Sequence, residues 1–467
     1  MKLYNTMTMT KEEFVPLEAG KVKMYACGPT VYNFFHVGNA RPLIMFDVLR
    51  CYFEYRGYAV TLVQNFTDID DKIINRSKEE GLKSSEIAEK YTTEYWIDAK
   101  ALGVREATFH PKATESIREI TDMIGILIDK GFAYQSGGDV YYRTAKFTEY
   151  GKLSHQPLDE LMAGARVDVT EVKENPMDFA LWKGAKPGEP FWDSPWGQGR
   201  PGWHIECSAM AKKFLGETID IHTGGQDLVF PHHENEIAQS EGCNGCLFVR
   251  YWLHCGFISI DSKKMSKSLG NFFTVREAAA EHGYDSIRMF MLMSHYRSPL
   301  NYSGDILVQS KNALQRLKTA RRNLEFIAMN GSDTVSDGEN EFLGTLPGFH
   351  GRFIEALDDD FNTADAVSVI FELVRECNGV AAGQSPSKVF AKETLKTLEE
   401  LAGVLGLFYA DTESDSIDKE VEALIEARQV ARKDKNWAEA DRIRDKLGEM
   451  GIVLEDTPQG VKWTRRG

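Results

Sequence analysis

One stretch of the chain decides its fold: KVKMYACGPTVYNFFHVGNARPLIMFDVLRCYFEYRGYAVTLVQNF, residues 21–66. The alternating pattern that starts at Lys21 predicts a strand that ends at Gly28. A helix should follow over residues 39–56, with Gly57 in the left-handed position after its end, and residues 59–66 predict a second strand. A strand–helix–strand unit of this spacing predicts an α/β fold with a parallel sheet that binds its substrate at the carboxyl ends of the strands.

The composition is that of a packed protein. The 467 residues correspond to about three domains at about 150 residues each, and 42% hydrophobic and 27% charged residues argue against a disordered or fibrous chain. No apolar run reaches the roughly 18 residues of a membrane span. The first residues lack an apolar signal core, so we expect a cytoplasmic location. The net charge of −15 argues against non-specific coating of nucleic acid.

The pattern changes along the chain and predicts several regions. They are the first half of an α/β core at 1–110, an inserted connective segment at 111–200, the second half of the core at 201–255, a lysine-containing loop region at 256–305, a helical bundle at 306–410, and a small domain of two helices and a hairpin at 411–467. The stretch from Gly184 to Gly202, rich in Pro, Gly and Trp, is predicted to be irregular.

Two motifs are suited to binding phosphate. His36, Gly38 and Asn39 (HVGN) come after the first strand and open a helix, whose free N–H groups attract anions. Lys264 and Lys267 (KMSKS) would clamp a triphosphate and stabilise the charge that moves onto pyrophosphate. Taken alone, the first motif is better explained as a capped helix and the second as a solvated basic loop. The presence of both motifs in one chain favours a role in phosphate binding over coincidence.

A possible metal site lies further along the chain. The segment FPHHENE begins a helix in which His232 and Glu236 are four residues apart, so both lie on one face. Cys27 and Cys207 would complete a set of two thiolates, one imidazole and one carboxylate, although spacing alone does not bring them together.

Two other groups of residues are weaker candidates. Cys243 and Cys246 form a CxxC pair, which can bind zinc or form a disulfide. Because the chain has no second such pair, thiols without a functional role are the favoured interpretation. Asp68, Asp70 and Asp71 could hold Mg²⁺, but capping of the following helix is favoured.

Taken together, these motifs resemble the class I aminoacyl-tRNA synthetases and, among them, the cysteinyl-tRNA synthetase family. The matching stretches are MYACGPTVYNFFHVGN at 24–39, NFTDIDDKII at 65–74, GWHIECSAM at 202–210, FPHHENEIAQ at 230–239 and KMSKSLGNFFTV at 264–275. With the C-terminal domain they extend over almost the whole chain.

The resemblance implies a Rossmann-type catalytic core with an inserted connective segment, a tRNA stem-contact region around KMSKS, an α-helical bundle and a small anticodon-binding domain. It implies one Zn²⁺ per chain and ATP as substrate with Mg²⁺. The positions that match the family's sites are Cys27, Cys207, His232 and Glu236 for zinc, His36, Gly38, Asn39, Gly225, Asp227, Lys264 and Lys267 for ATP, Thr67, Trp203 and His222 for the amino acid, and Arg432, Trp437 and Asp456 for the anticodon. His36, Asn39, Lys264 and Lys267 would serve catalysis.

The chain departs from the family pattern at two positions. Asn39 replaces the final histidine of the class motif HIGH, but an amide still donates to phosphate or ribose. Thr223 stands where a glycine is expected, which should narrow the amino-acid pocket. The side chain of Trp437, which matches the family pattern, has two interpretations: it stacks on an unpaired base, or it packs within its own domain.

The resemblance implies a monomeric ligase that activates L-cysteine with ATP and transfers it to the 3′ end of tRNA(Cys), with zinc selecting the thiol. One alternative is a ligase that delivers cysteine to a small amino-sugar; such enzymes generally lack the C-terminal region. Another is a non-catalytic zinc- and RNA-binding relative, which would not need His36, Lys264 and Lys267. A third, a nucleotidyltransferase, explains neither the metal ligands nor the long helical part.

Overall fold

The computed structural model describes residues 1–155, 173–260, 263–264, 273–383, 385–409, 411–457 and 460–465. For residues 263–264, 411–420, 422, 455–457 and 460–465 it describes the backbone alone. The chain forms two compact units. The first contains 1–284, 294–304 and 357–362, and the second contains 285–293, 305–356 and 363–467.

Strands and helices alternate in the first unit, and helices dominate the second. The strands are β1 Lys2–Asn5, β2 Thr10–Glu13, β3 Lys21–Ala26, β4 Ala59–Gln64, β5 Ala133–Ser136, β6 Asp139–Tyr142, β7 Phe179–Gly184, β8 Gly199–Pro201, β9 Ile219–Gly225, β10 Val249–Cys255, β11 Ile258–Ile260, β12 Lys263–Lys264, β13 Leu300–Tyr302, β14 Ile452–Thr457 and β15 Gly460–Arg465. The helices are α1 Val37–Tyr55, α2 Asp71–Glu80, α3 Ser84–Ala101, α4 Ile117–Asp129, α5 Trp203–Leu215, α6 Glu234–Asn244, α7 Val275–His282, α8 Tyr284–Leu292, α9 Gly304–Asn330, α10 Asp337–Asp358, α11 Thr363–Ala381, α12 Lys388–Val404, α13 Asp411–Lys433 and α14 Trp437–Glu449.

A four-stranded parallel sheet in the order β10-β9-β3-β4 forms the centre of the first unit. Helix α1 connects β3 to β4 and begins two residues before the predicted start, while Gly57 has the predicted positive φ of 87°. After β4 the chain returns to the other side of β3 through β9 and β10. Strand order therefore reverses between β3 and β9, the point at which such sheets open a crevice for ligands.

The inserted segment contains more regular structure than the sequence indicated. Strands β5-β6-β7-β8 form an antiparallel sheet, and its last strand comes from the stretch predicted to be irregular. The prediction is confirmed for residues 185–198 and wrong at 199–201, because β8 is an edge strand, where proline is tolerated. Gly199 is required there, since a Cβ would lie 2.3 Å from the carbonyl oxygen of Lys183.

The second unit contains a group of long helices and a small terminal pair of helices with a hairpin. Strands β14 and β15 pair antiparallel, as the sequence predicted, and the core of this part consists of Val421, Ile425, Ile443, Leu447 and Ile452. Among the helices within the described ranges, none is long and apolar enough to cross a membrane.

Candidate functional site

A cavity of about 740 Å³ opens at the carboxyl ends of the parallel strands. The residues that follow these strands line it: Cys27 after β3, Gly225 at the end of β9, and Cys255 and Gly256 at the end of β10. The start of α1 forms another part of its wall. The cavity therefore lies at the crevice that the strand order creates.

The HVGN turn presents a helix N-terminus to this cavity. His36 has the extended backbone of an N-cap, and its carbonyl accepts a hydrogen bond from the Asn39 amide at 2.9 Å. The His36 amide in turn donates to the side-chain oxygen of Asn39 at 3.4 Å. Gly38 also lines the cavity. Because the first turn contains no acidic residue, the positive end of the helix dipole is uncompensated and favours an anion.

Close backbone approaches shape the floor of the cavity. A Cβ on Gly28 would lie 1.6 Å from the carbonyl oxygen of Asn65, and one on Gly224 would lie 2.7 Å from the His233 ring. At position 223 a side chain is accommodated, and the Thr223 hydroxyl donates a hydrogen bond to the Tyr25 carbonyl at 3.3 Å. Thr223 nevertheless lines the cavity, where a glycine would leave more room.

Four potential metal ligands meet beside the cavity. Cys27 Sγ is 3.9 Å from Cys207 Sγ and 3.4 Å from Glu236 Oε1, and His232 Nε2 is 3.1 Å from the same carboxylate oxygen. Two thiolates on tetrahedral zinc are about 3.8 Å apart, given Zn–S bonds of about 2.3 Å. The thiol distance and the mixture of sulfur, nitrogen and oxygen donors fit zinc.

A second donor set shares two of these residues. Cys27 and Glu236 also lie within metal-binding distance of His222 and His233. His222 Nε2 is 2.9 Å from Glu236 Oε2, and His233 Nε2 is 3.3 Å from Cys27 Sγ. We favour the set with Cys207 as the zinc site because it offers two soft sulfur ligands instead of one.

Two of the four donors favour the charged form that a metal ligand needs. A hydrogen bond from the Cys27 thiol lowers the pKa of Cys207 to about 6, whereas burial raises the pKa of Cys27 itself. Burial opposes the charge on Glu236, but the His222 and His232 imidazoles outweigh it and lower the Glu236 pKa to about 2. Glu236 and Cys207 therefore favour the anionic form that metal ligands need. Burial opposes a charge on His232, but its hydrogen bonds to Cys207 and Glu236 raise its pKa to about 10, so His232 and Cys27 would each release a proton when a metal binds.

Histidines outside the sequence prediction support this cluster. His233 Nδ1 is hydrogen-bonded to His254 Nε2 at 2.8 Å, and His254 Nδ1 is bonded to the Thr6 hydroxyl at 2.8 Å. His204 Nδ1 contacts His232 Nδ1 at 2.9 Å. The pair of adjacent histidines in the sequence was the one signal for His233, and nothing indicated Thr6.

The predicted amino-acid residues divide between the cavity and the layer behind it. Trp203 lines the cavity, and its ring centroid is 4.2 Å from that of His232. Thr67 and His222 are buried behind the wall: Thr67 donates to Glu206 at 2.8 Å, and His222 contacts Glu236. Asp227 lines the cavity together with Gly225.

The remaining predicted residues are more scattered. Lys264 belongs to β12, of which the backbone alone is described, and Lys267 is outside the described residues. Arg432 and Trp437 lie in the second unit, at the end of α13 and the start of α14, and Asp456 lies in β14.

The weaker candidates have other roles. Asp70 caps α2 by accepting from the Lys72 amide at 2.9 Å, Asp68 accepts from Thr114, and Asp71 pairs with Lys183. The capping interpretation is confirmed for Asp70. The CxxC cysteines belong to neither donor set; Cys243 is buried and Cys246 exposed.

Replacing Cys207 should separate the two donor sets. We expect Cys207→Ser to weaken zinc binding by more than the roughly 10- to 100-fold loss typical when a residue that only supports a ligand is replaced. Competition with a chelator measures this affinity. Cys243→Ser removes another buried thiol, outside the cluster, and should bind zinc as the unaltered protein does. Equal affinity of Cys207→Ser and the control would contradict the assignment.

Comparison with known proteins adds independent evidence. The sequence pattern described as "tRNA synthetases class I (C) catalytic domain" matches residues 13–312, that of the DALR domain matches 352–409, and that described as "Cysteinyl-tRNA ligase anticodon binding domain" matches 414–463.

Related proteins match along the whole chain. It is 56% identical over 466 residues to a cysteine–tRNA ligase of Caldicellulosiruptor saccharolyticus and 56% identical over 467 residues to one of Clostridioides difficile, with 100% of each chain covered. Its fold is similar to that of Mycobacterium tuberculosis methionyl-tRNA synthetase in complex with methionyl-adenylate (TM-score 0.60, 16% identity, 82% of this chain and 89% of the other). The predicted α/β class with a Rossmann-type core is thereby confirmed, and the chain belongs to the cysteinyl-tRNA synthetase family.

Proposed function

We propose that the protein activates L-cysteine with ATP and transfers the cysteinyl group to tRNA(Cys). The observation that carries this proposal is the position of Cys27, which lines the cavity and also belongs to the cluster of metal ligands. A site for a thiol-selecting metal, beside the cavity, and a helix N-terminus for phosphate would thus serve the same reaction. Membership of the family supports the same reaction.

In the first step, a carboxylate oxygen of cysteine attacks the α-phosphorus of ATP, and the bond to pyrophosphate breaks. The protein positions these reactants and stabilises their charge, which suffices for large acceleration. The His36 ring and the Asn39 side chain, together with Gly38 at the positive end of the α1 dipole, would bind the phosphates. Gly225 and Asp227, which also line the cavity, would contact the nucleotide. Mg²⁺ would enter with ATP, and Lys264 and Lys267 would stabilise the departing pyrophosphate.

Selection of cysteine over serine needs more than an apolar pocket. Such a pocket separates near-isosteres by only about 1–3 kcal/mol. Cys27, Cys207, His232 and Glu236 would hold zinc, which as a soft Lewis acid favours a thiolate over a hydroxyl. The Trp203 ring, packed against His232, would form the adjoining wall, and Thr67 and His222 would support it from behind.

In the second step, the terminal ribose hydroxyl of tRNA attacks the cysteinyl carbonyl carbon and AMP leaves. We assign anticodon recognition to the small domain at 411–467, with Arg432, Trp437 and Asp456. Trp437 supports this, since 59% of it is exposed and the core of its domain forms from other residues. That exposure favours stacking on an unpaired base over packing within the domain.

The other regions keep their predicted assignments: core halves at 1–110 and 201–255, connective segment at 111–200, stem-contact region at 256–305 and helical bundle at 306–410. The match to the anticodon binding domain does not favour an amino-sugar acceptor or a non-catalytic relative. A monomeric state and a cytoplasmic location stay predictions.

Pyrophosphate exchange into ATP, measured without tRNA, tests the activation step. We expect exchange with cysteine to exceed exchange with serine by more than the roughly 10- to 200-fold that an apolar pocket provides. Methionine and the absence of an amino acid serve as further comparisons. Folded, zinc-loaded protein that gives no cysteine-dependent exchange would contradict the proposed activity.

Replacing Trp437 tests the anticodon contact. Trp437→Ala should raise the KM for tRNA by about 10- to 100-fold, the value of one base–aromatic stack, and leave pyrophosphate exchange unchanged. Val430→Ala is a suitable control, because Val430 is also exposed, at 54%, in the same domain. Unaltered charging by Trp437→Ala would disprove the stacking role.

A further inference from the structure

A second chain segment lies alongside the HVGN turn. The Val37 amide donates to the Phe273 carbonyl at 3.2 Å, and the Val275 amide donates to the Phe35 carbonyl at 3.1 Å. His36 and Thr274 are thus opposite one another in a short antiparallel bridge. The backbone on either side of His36 is fixed by this bridge as well as by α1.

Arg276 anchors this second segment. It lies in the first turn of α7, where the helix dipole disfavours a cation. Its Nη2 is 2.7 Å from Glu94 Oε2 and its Nε is 3.2 Å from Asp98 Oδ1, both on α3. Asp98 is buried, and Tyr284 also donates to it at 2.6 Å. The two carboxylates therefore outweigh the dipole and hold the guanidinium in place.

The same guanidinium also contacts the residues before His36. Its central carbon is 4.7 Å from the ring centroid of Phe34, a cation–π distance. Phe34 packs edge-on against Tyr91, at 5.6 Å between centroids, and Phe35 packs against Tyr95 at 5.4 Å. All four of these aromatic residues line the cavity.

We infer that Arg276 is a positioning residue for the nucleotide: through Phe34 and the backbone bridge it fixes His36 in the orientation that binds phosphate. This inference rests on the proposed function of the same cavity. Arg276 does not itself line the cavity. Its replacement should therefore change how ATP is held without changing the wall that would receive cysteine.

The test measures the KM values for ATP and for cysteine separately in pyrophosphate exchange. Arg276→Met should raise the KM for ATP about 10-fold and leave the KM for cysteine within about two-fold, because a shift of about 1 Å in a positioned group has costs of this order or larger. Arg276→Lys should recover most of the loss, since an ammonium keeps the charge beside Asp98 and Phe34.

Arg143 offers a matched control. Its guanidinium pairs with Glu174 and lies 4.9 Å from the ring centroid of Tyr134, and it is as exposed as Arg276, 32% against 38%. It does not line the cavity. Arg143→Met should leave the KM for ATP unchanged. It should lower the thermal unfolding midpoint less than Arg276→Met does, because Glu174 is half-exposed whereas Asp98 is buried.

A double variant tests the coupling. In a Phe34→Leu background, Arg276→Met should raise the KM for ATP by clearly less than 10-fold, because the ring that transmits the effect is gone. An Arg276→Met protein with unchanged KM for ATP, or full additivity of the two changes, would overturn the inference.

ATP binding by equilibrium dialysis provides the same comparison without turnover. If the unaltered protein gives no cysteine-dependent exchange, the proposed function fails, and the dialysis comparison still decides the role of Arg276.

Discussion

The site depends on the position of one thiol, that of Cys27. This residue follows the inner strand β3 and lies at the point where the strand order reverses. Its sulfur is within 3.9 Å of Cys207 and 3.4 Å of Glu236, and the residue also lines the cavity. Burial raises the pKa of the Cys27 thiol, so the thiol would have to release its proton to bind a metal. The meeting of four donor atoms within 4.8 Å of one another is what favours a metal site over simple packing.

The sequence predicted the parts of this arrangement that are local. The pattern from Lys21 predicted the parallel sheet, the helix after the HVGN motif and the left-handed Gly57, all of which the structure contains. The spacing of His232 and Glu236 placed both on one helical face. Spacing alone could not bring Cys27 and Cys207 together, because 180 residues separate them and only the return of the chain to β9 closes that distance.

Other features were beyond the sequence for a physical reason. The contacts from Thr6 through His254 to His233, and from Arg276 to Asp98, join residues that are far apart and follow no periodic pattern. The edge strand at Gly199 was missed because proline and glycine usually indicate loops. Such contacts form only when the chain has folded and brought distant segments together, so a sequence pattern does not reveal them.

The central claim is that two thiolates, one imidazole and one carboxylate form the metal site. X-ray absorption at the zinc edge of the zinc-loaded protein tests it most directly, because it counts the sulfur ligands. The account predicts two sulfurs at about 2.3 Å and two nitrogen or oxygen ligands at about 2.0–2.2 Å. One sulfur with three nitrogen or oxygen ligands would instead assign zinc to the set with His222 and His233, and would contradict the account.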